Sequence, residues 1–237
     1  MRLVGSGMNI GSNDPLSEFN NQLRDGFDFC RKAYALFDSI SSQPGGIERI
    51  RQRSTRVEKK LLEELLPICR FQLGRCISIR WMDGNQPYDA EFHQTGTYIE
   101  KGYIPPIAYL EATCAMHPNE HLIWRLLNEG KPAFAPEGIK KHRGGPVESK
   151  AVTFSNNEHV SGFAPLVVSL IREKPKISYP ANTSLVVECY LNSLYSRDDW
   201  HLLTSTIEQE IQMSPFQEIL LINGTTELAT PLKLSTA

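Results

Sequence analysis

Between residues 57 and 92 the spacing of apolar side chains changes, and that change most narrows what this chain can fold into. Val57, Leu61, Leu62, Leu65, Ile68 and Cys69 recur at helical intervals, so they line one face of a helix. Ile77, Ile79 and Trp81 then alternate with Ser78 and Arg80, and Tyr88, Ala90 and Phe92 alternate with Asp89, Glu91 and His93. A period of two belongs to a strand with one buried face. Asp83-Gly84-Asn85 between the two runs supplies turn residues. A helix leading into an antiparallel hairpin is the predicted centre of the fold.

The flanking pattern extends this centre. Residues 1–16 read as a flexible arm, Glu18 to Ser41 as a helix ended by Gln43-Pro44-Gly45-Gly46, and Ile47 to Phe71 as a second, longer helix closed by Gly74. Ile107 to Cys114 reads as a third strand, and a helix with Pro118 near its start runs to about Asn128. Gly130 to Asn157 reads as a long basic loop with at most one short strand. A helix from His159 to Lys174, a buried strand at Leu185-Val186-Val187, a helix from Asp198 to Gln212 and a strand from Glu218 to Ile222 complete the order, with a return strand after Asn223-Gly224. This order predicts a three-layer α/β core with a central mixed sheet and an N-terminal helical extension. The expected division is an N-terminal arm and helix, residues 1–46, and an α/β domain, residues 47–237.

Charge and cysteine content exclude several classes. Lys and Arg number 25 against 27 Asp and Glu, for a net charge of −2, so no overall field draws the molecule to nucleic acid or an anionic membrane. Contact with nucleic acid has to rest on local patches. Cys30, Cys69, Cys76, Cys114 and Cys189 are scattered, odd in number and never spaced as Cys-x-x-Cys, which argues against a disulfide framework or a zinc-thiolate site. Residues 1–16 lack the apolar run of a signal peptide, and the longest uncharged apolar stretch, Ser161 to Ile171, is too short to span a bilayer. A cytoplasmic protein without a membrane span is expected.

Alternation places the chemistry. With Tyr88, Ala90 and Phe92 packed inward, Asp89 and Glu91 emerge together on the other face, and on the third strand Glu111 and Thr113 share a face. Asp89 and Glu111 then form a carboxylate pair in an apolar sheet, although a register slipped by one residue turns both to solvent. Glu64 lies about 20° from Val57 around the preceding helix, at the border of the apolar face, while Glu63 points the opposite way. Three convergent oxygen donors suit a hard cation such as Mg²⁺.

These residues resemble the PD-(D/E)XK nuclease superfamily, whose restriction-endonuclease-like core runs helix, three strands, helix, strand. In that core an acid stands on the first helix, an Asp on the second strand and Glu-x-Lys on the third. The matching positions are Glu64, Asp89 after Pro87-Tyr88, and Glu111-Ala112-Thr113, over roughly residues 50–195. The resemblance implies metal-dependent phosphodiester hydrolysis of nucleic acid, DNA more than RNA, with Asp89, Glu111 and the Ala112 carbonyl holding Mg²⁺ or Mn²⁺. Thr113 stands where the family has Lys. A Thr can hydrogen-bond a water but carries no charge. A cation from elsewhere, Lys140, Lys141, Lys150 or His117, could substitute, or a second metal could do the work; otherwise the chain is a non-catalytic nucleic-acid-binding or assembly subunit that keeps the fold.

Lys140, Lys141 and Arg143, with Gly144 and Gly145 beside them, and Lys150 are the expected phosphate contacts. Glu148-Ser149-Lys150 also matches the third-strand motif literally but lacks its apolar flank. His117 and His121 are four residues apart, as zinc ligands on a helix are, yet Pro118 leaves His117 outside that helix. Protein partners or a homodimer through the amphipathic N-terminal helices form a further expectation.

Overall fold

A computed structural model describes residues 14–72, 77–141, 145–191, 196–211 and 214–233. The chain enters through a 3₁₀ turn, Pro15–Glu18, and an edge strand β1 (Leu23–Asp25), then helices α1 (Gly26–Ser41) and α2 (Gly46–Gln52). The expected single helix from Ile47 to Phe71 is broken. Arg53 ends α2 in the left-handed region at φ 49°, and Thr55 starts a new helix with a capping box, in which Glu58 bonds back to the Thr55 amide. The new rod comprises α3 (Arg56–Lys60), a π-helical turn (Leu61–Leu65) and α4 (Leu66–Gln72).

The hairpin follows as β2 (Ile77–Trp81) and β3 (Ala90–Gln94), then a short helix α5 (Thr97–Glu100), strand β4 (Ile107–Ala115) and helix α6 (Glu120–Asn128). The basic segment holds two short strands rather than at most one, β5 (Ile139–Lys141) and β6 (Val147–Ser149), paired antiparallel as a separate small sheet. Then come α7 (Asn156–Glu173), β7 (Thr183–Cys189), α8 (Arg197–Glu210), β8 (Glu218–Asn223) and β9 (Ala229–Pro231).

The main sheet has the order β1-β2-β3-β4-β7-β8-β9. Its first four strands form an antiparallel meander, β4, β7 and β8 run parallel, and β9 returns antiparallel. This is the three-layer α/β core with a mixed central sheet that the element order predicted. Strand β7 lies deepest, buried at every residue, as a parallel strand covered on both faces must be. Val186 packs with Leu61, Leu65, Ile68 and Leu110 beneath α1 and the 56–72 rod, whereas Leu185 and Val187 pack with Val167, Leu203 and Ile207 of α7 and α8. Phe29 and Ala33 of α1 are buried in the same core as Ile79 and Leu110, and β1 pairs with β2. The N-terminal helix is thus continuous in packing with the sheet.

Burial follows alternation closely on β2 and β3: Ile77, Ile79, Trp81, Ala90 and Phe92 are buried in one core. Tyr88 is the exception to the expected inward set. Regular β3 pairing begins only at Ala90, so Tyr88 turns to the other side, packs against Tyr109 with ring centroids 4.6 Å apart and planes tilted by 50°, and donates a hydrogen bond to Glu91 Oε1 at 3.1 Å. Cys30, Cys69, Cys114 and Cys189 are free thiols, and Cys76 lies outside the described residues. No described helix is long and apolar enough to cross a membrane.

Candidate active site

Asp89 stands just ahead of β3, where the meander closes. Its amide donates to the Leu110 carbonyl and its carbonyl accepts from the Met82 amide, each at 2.8 Å. With the backbone held on both sides, Asp89 Oδ2 accepts a hydrogen bond from the Ala112 amide at 2.8 Å. The acid is thereby fastened to the strand that carries Glu111.

Glu111 lies in the middle of β4, two residues before half-buried Thr113 on the same face. Its Oε1 receives Lys174 Nζ at 2.5 Å. Lys174 is the C-cap of α7, 63 residues further along the chain, so the crossover from β4 to β7 delivers it to the site. Glu64 belongs to the π-helical turn, an irregularity often found at functional sites. Lys60, one turn back, contacts Glu64 Oε1 at 2.5 Å, and Trp81 Nε1 donates to Glu64 Oε2 at 3.0 Å.

Electrostatics ties these elements into one group. Burial, then the negative charges of Glu64 and Glu111, push the Asp89 carboxyl well above its ordinary range, against the Ala112 amide and Lys60. Burial also raises Glu111, opposed by the charge and hydrogen bond of Lys174, while Glu64 raises it further. Tyr179 borders the same acids: burial and then the charges of Glu111 and Asp89 raise its phenol, whose buried hydroxyl has no hydrogen-bond partner. Its ring rests on Phe216 at 4.8 Å. Bringing these acids together in a desolvated place disfavours their ionised forms, and a bound cation would relieve that cost.

The expected substitute cations lie elsewhere. Lys140 and Lys141 are exposed on β5 and Lys150 is exposed just after β6, 3.9 Å from Glu148; Arg143 lies outside the described residues. His117 accepts a hydrogen bond from the Asn119 amide at 3.1 Å and faces a different cavity. The cations acting on Asp89 and Glu111 are Lys174 and Lys60. In sequence, Lys174-Pro175-Lys176 reads only as the cationic end of a helix, so nothing local marks Lys174 as a site residue. Tyr179 carries no signal beyond its place ahead of a strand.

The donor set fits a hard divalent cation in kind, since every side chain involved offers carboxylate oxygen. It fits less well in number. Among the described residues no group of three or more His, Cys, Asp or Glu side chains is placed to hold a metal ion. The available set is the pair Asp89 and Glu111, each with one oxygen committed to a protein donor. Neither family models nor curated proteins nor solved structures yield a match to this chain.

Proposed function

We propose metal-dependent phosphodiester hydrolysis of nucleic acid, DNA before RNA, at a site formed by Asp89, Glu111 and Lys174. The observation that carries this reading is the 2.5 Å contact of Lys174 with Glu111: a lysine stands beside the third-strand acid although Thr113 occupies the motif position. Topology adds support. A helix bearing Glu64 is followed by three antiparallel strands with Asp89 at the second and Glu111 on the third, then by helices and a strand parallel to the third. That is the element order of the PD-(D/E)XK superfamily.

Asp89 and Glu111 are the residues that would hold Mg²⁺ or Mn²⁺, which supplies a bound water of lowered pKa and offsets phosphate charge. Lys174 provides the positive charge that Thr113 lacks, close to where phosphate oxygens would gather. The Thr113 hydroxyl can position a water. Glu64, held by Lys60 and Trp81, keeps the field negative from the helix side.

Two results are expected. Lys174→Met lowers Mn²⁺-supported cleavage of mixed single- and double-stranded DNA by about 10²–10³-fold, and Thr113→Lys in that background recovers part of it. A purely structural role for Lys174 predicts no recovery. Because burial raises both Asp89 and Glu111, protons compete with the cation at acid pH, so the rate climbs as pH rises from 6 towards 9. A rate that falls over that range contradicts the assignment.

One observation favours a second reading. Glu111 and Glu64 are each already neutralised by a lysine, as befits a non-catalytic subunit that retains the fold. That reading predicts salt-sensitive DNA binding through Lys140, Lys141 and Lys150 with no cleavage.

A further inference from the structure

Two of the free cysteines meet where α1 packs on α4. Cys30 of α1 is half-buried against the core, and Cys69 of α4 is 1% exposed. The Cys30 thiol donates to the Cys69 carbonyl with Sγ 3.9 Å from the oxygen, and the Cys69 thiol in turn lies within hydrogen-bond reach of Cys30 Sγ. The two are 39 residues apart in sequence, so only the packing of the helices brings them together. Helices packed about 8–10 Å apart, with Cα atoms about 2.3 Å from each axis, bring facing Cα atoms to roughly 4–6 Å. A disulfide spans that separation, and closing one asks for rotation of side chains rather than movement of helices.

Gln72 makes the pair unequal. Its side chain is 3% exposed, and its Nε2 donates to Cys30 Sγ at 3.0 Å. Buried amides mostly spend their donors on oxygen; this one gives a donor to sulfur. The close approach of Gly26 holds the amide in place, since a Cβ there would lie 2.8 Å from Gln72 Oε1 and 3.0 Å from the Ile77 carbonyl oxygen. Cys30 Sγ thus faces two donors, and both favour its thiolate. The hydrogen bond from Cys69 lowers the Cys30 thiol below its ordinary value against burial, and Gln72 lowers it further against the charge of Asp25. The same hydrogen bond and then burial push the Cys69 thiol up.

The other described thiols lack this arrangement. Cys114 directs its thiol to the Leu62 carbonyl at 3.9 Å and Cys189 to the Val187 carbonyl at 4.0 Å, and burial raises both. A thiolate partly open to solvent and backed by a second thiol is the arrangement that hydroperoxides oxidise selectively. A cleft of about 180 Å³, bordered by Gln72 and by Gly26 one helical turn before Cys30, lies alongside. It has room for a small hydroperoxide.

We propose that Cys30 and Cys69 are a peroxide-oxidised dithiol, in which Cys30 reacts first and Cys69 resolves it into a disulfide between α1 and α4. The Cys30 sulfur attacks one peroxide oxygen: an S–O bond forms, the O–O bond breaks, and the other oxygen leaves with the thiol proton as water or, from an organic hydroperoxide, as an alcohol. The Cys69 sulfur then attacks the sulfenic sulfur of Cys30. An S–S bond forms, the S–O bond breaks, and hydroxide leaves with the Cys69 proton as water. The two thiols together lose two electrons, and the peroxide gains them. The disulfide ties the N-terminal helix to the rod that carries Glu64, and its chemistry uses none of the residues of the hydrolytic reading.

Treating the full chain with a small excess of hydrogen peroxide at pH 7, blocking the remaining thiols and digesting with trypsin tests this without reference to cleavage of DNA. The expected product joins peptides 25–31 and 61–70 with the loss of two hydrogens, and dithiothreitol separates them again. It should form at least about tenfold faster in the folded protein than in urea, an advantage that shrinks towards pH 9, where an ordinary thiol is ionised as well. Cys69→Ala should leave Cys30 as a sulfenic acid that dimedone captures, and Cys30→Ala should leave Cys69 unmodified. Should either variant fail to fold, dimedone added to the wild type during the reaction still orders the steps, with Cys30 labelled before the peptides join. Linkage through another cysteine, oxidation of Cys69 ahead of Cys30, linkage that forms only in urea, or no linkage at all would each overturn the proposal.

Discussion

Replacing Asp89 with Asn is expected to abolish DNA cleavage while making the fold more stable. The carboxylate is held in a desolvated position beside Glu64 and Glu111, and both burial and those charges disfavour its ionised form. An Asn side chain can still accept the hydrogen bond of the Ala112 amide, so the β3–β4 junction survives. It cannot supply a carboxylate to a cation. The cleavage rate should fall by about 10³-fold or more, comparable with removal of a main electrostatic element of an active site. Stability at pH 8 should rise by roughly 1–2 kcal/mol, the gain typical when an active-site group unfavourable to the fold is relieved.

The sign of its pH dependence is fixed. Asp89 in the folded protein keeps its proton to higher pH than in the unfolded chain, so the wild type is relatively most stable at acid pH and loses that stability as pH rises. Chemical denaturation of both proteins should show the gap between them opening from acid to neutral pH and nearly closing below the unfolded-state value. A variant that is both inactive and less stable at pH 8 would make Asp89 a structural residue.

The second large effect concerns Arg70. From α4 its Nη1 pairs with Glu188 of β7 at 2.9 Å, while Nη2 donates to the carbonyls of Asn223 at 2.8 Å and Thr226 at 2.5 Å. One side chain thus ties the helical layer to the ends of two parallel strands. Arg70→Met strands a buried carboxylate and removes the donor from both carbonyls, with an expected loss of about 3–5 kcal/mol.

Glu188 already has its pKa pushed up to about 7 by burial, against the pull of Arg70. Its folded pKa is raised, so stability is lost as pH climbs from the unfolded carboxylate range to about 7, on the order of 3 kcal/mol in all. Glu188→Gln should flatten that part of the stability profile. In the Arg70→Met background it should restore part of the loss. Urea denaturation of the four proteins at pH 5 and pH 8 separates these contributions, and equal destabilisation by Arg70→Met at both pH values would contradict the role given to Glu188.

Periodicity carried most of the fold. Ile77 to Phe92 and Ile107 to Cys114 alternate because one face of each strand meets the helical rod, and the unbroken run Leu185-Val186-Val187 is apolar because β7 is covered on both faces. Elsewhere local chemistry outweighs apolar spacing. The helix expected across Ile47 to Phe71 stops at Arg53, since the Thr55 capping box starts a new helix whatever the pattern of leucines. Tyr88 left the inward set because its hydroxyl finds Glu91 outside the regular ladder.

Sequence spacing singled out the acids of the candidate site and not its cations. Glu111 lies on a strand whose alternation sets its direction, whereas Asp89 stands just ahead of β3 and Glu64 in a π-helical turn, where regular spacing is only an approximate guide. Lys174 and Tyr179 lie where α7 gives way to the turn before β7, and their place beside Glu111 is set by how a crossover packs on the sheet.

One assay separates hydrolysis from binding alone: wild type and Asp89→Asn, each with Mn²⁺ and with chelator, on a mixture of single- and double-stranded DNA, with binding measured on the same samples. Hydrolysis at this site requires cleavage only by wild type with Mn²⁺, and DNA bound by both proteins. DNA bound equally by both and cut by neither would contradict it and make the protein a binding subunit.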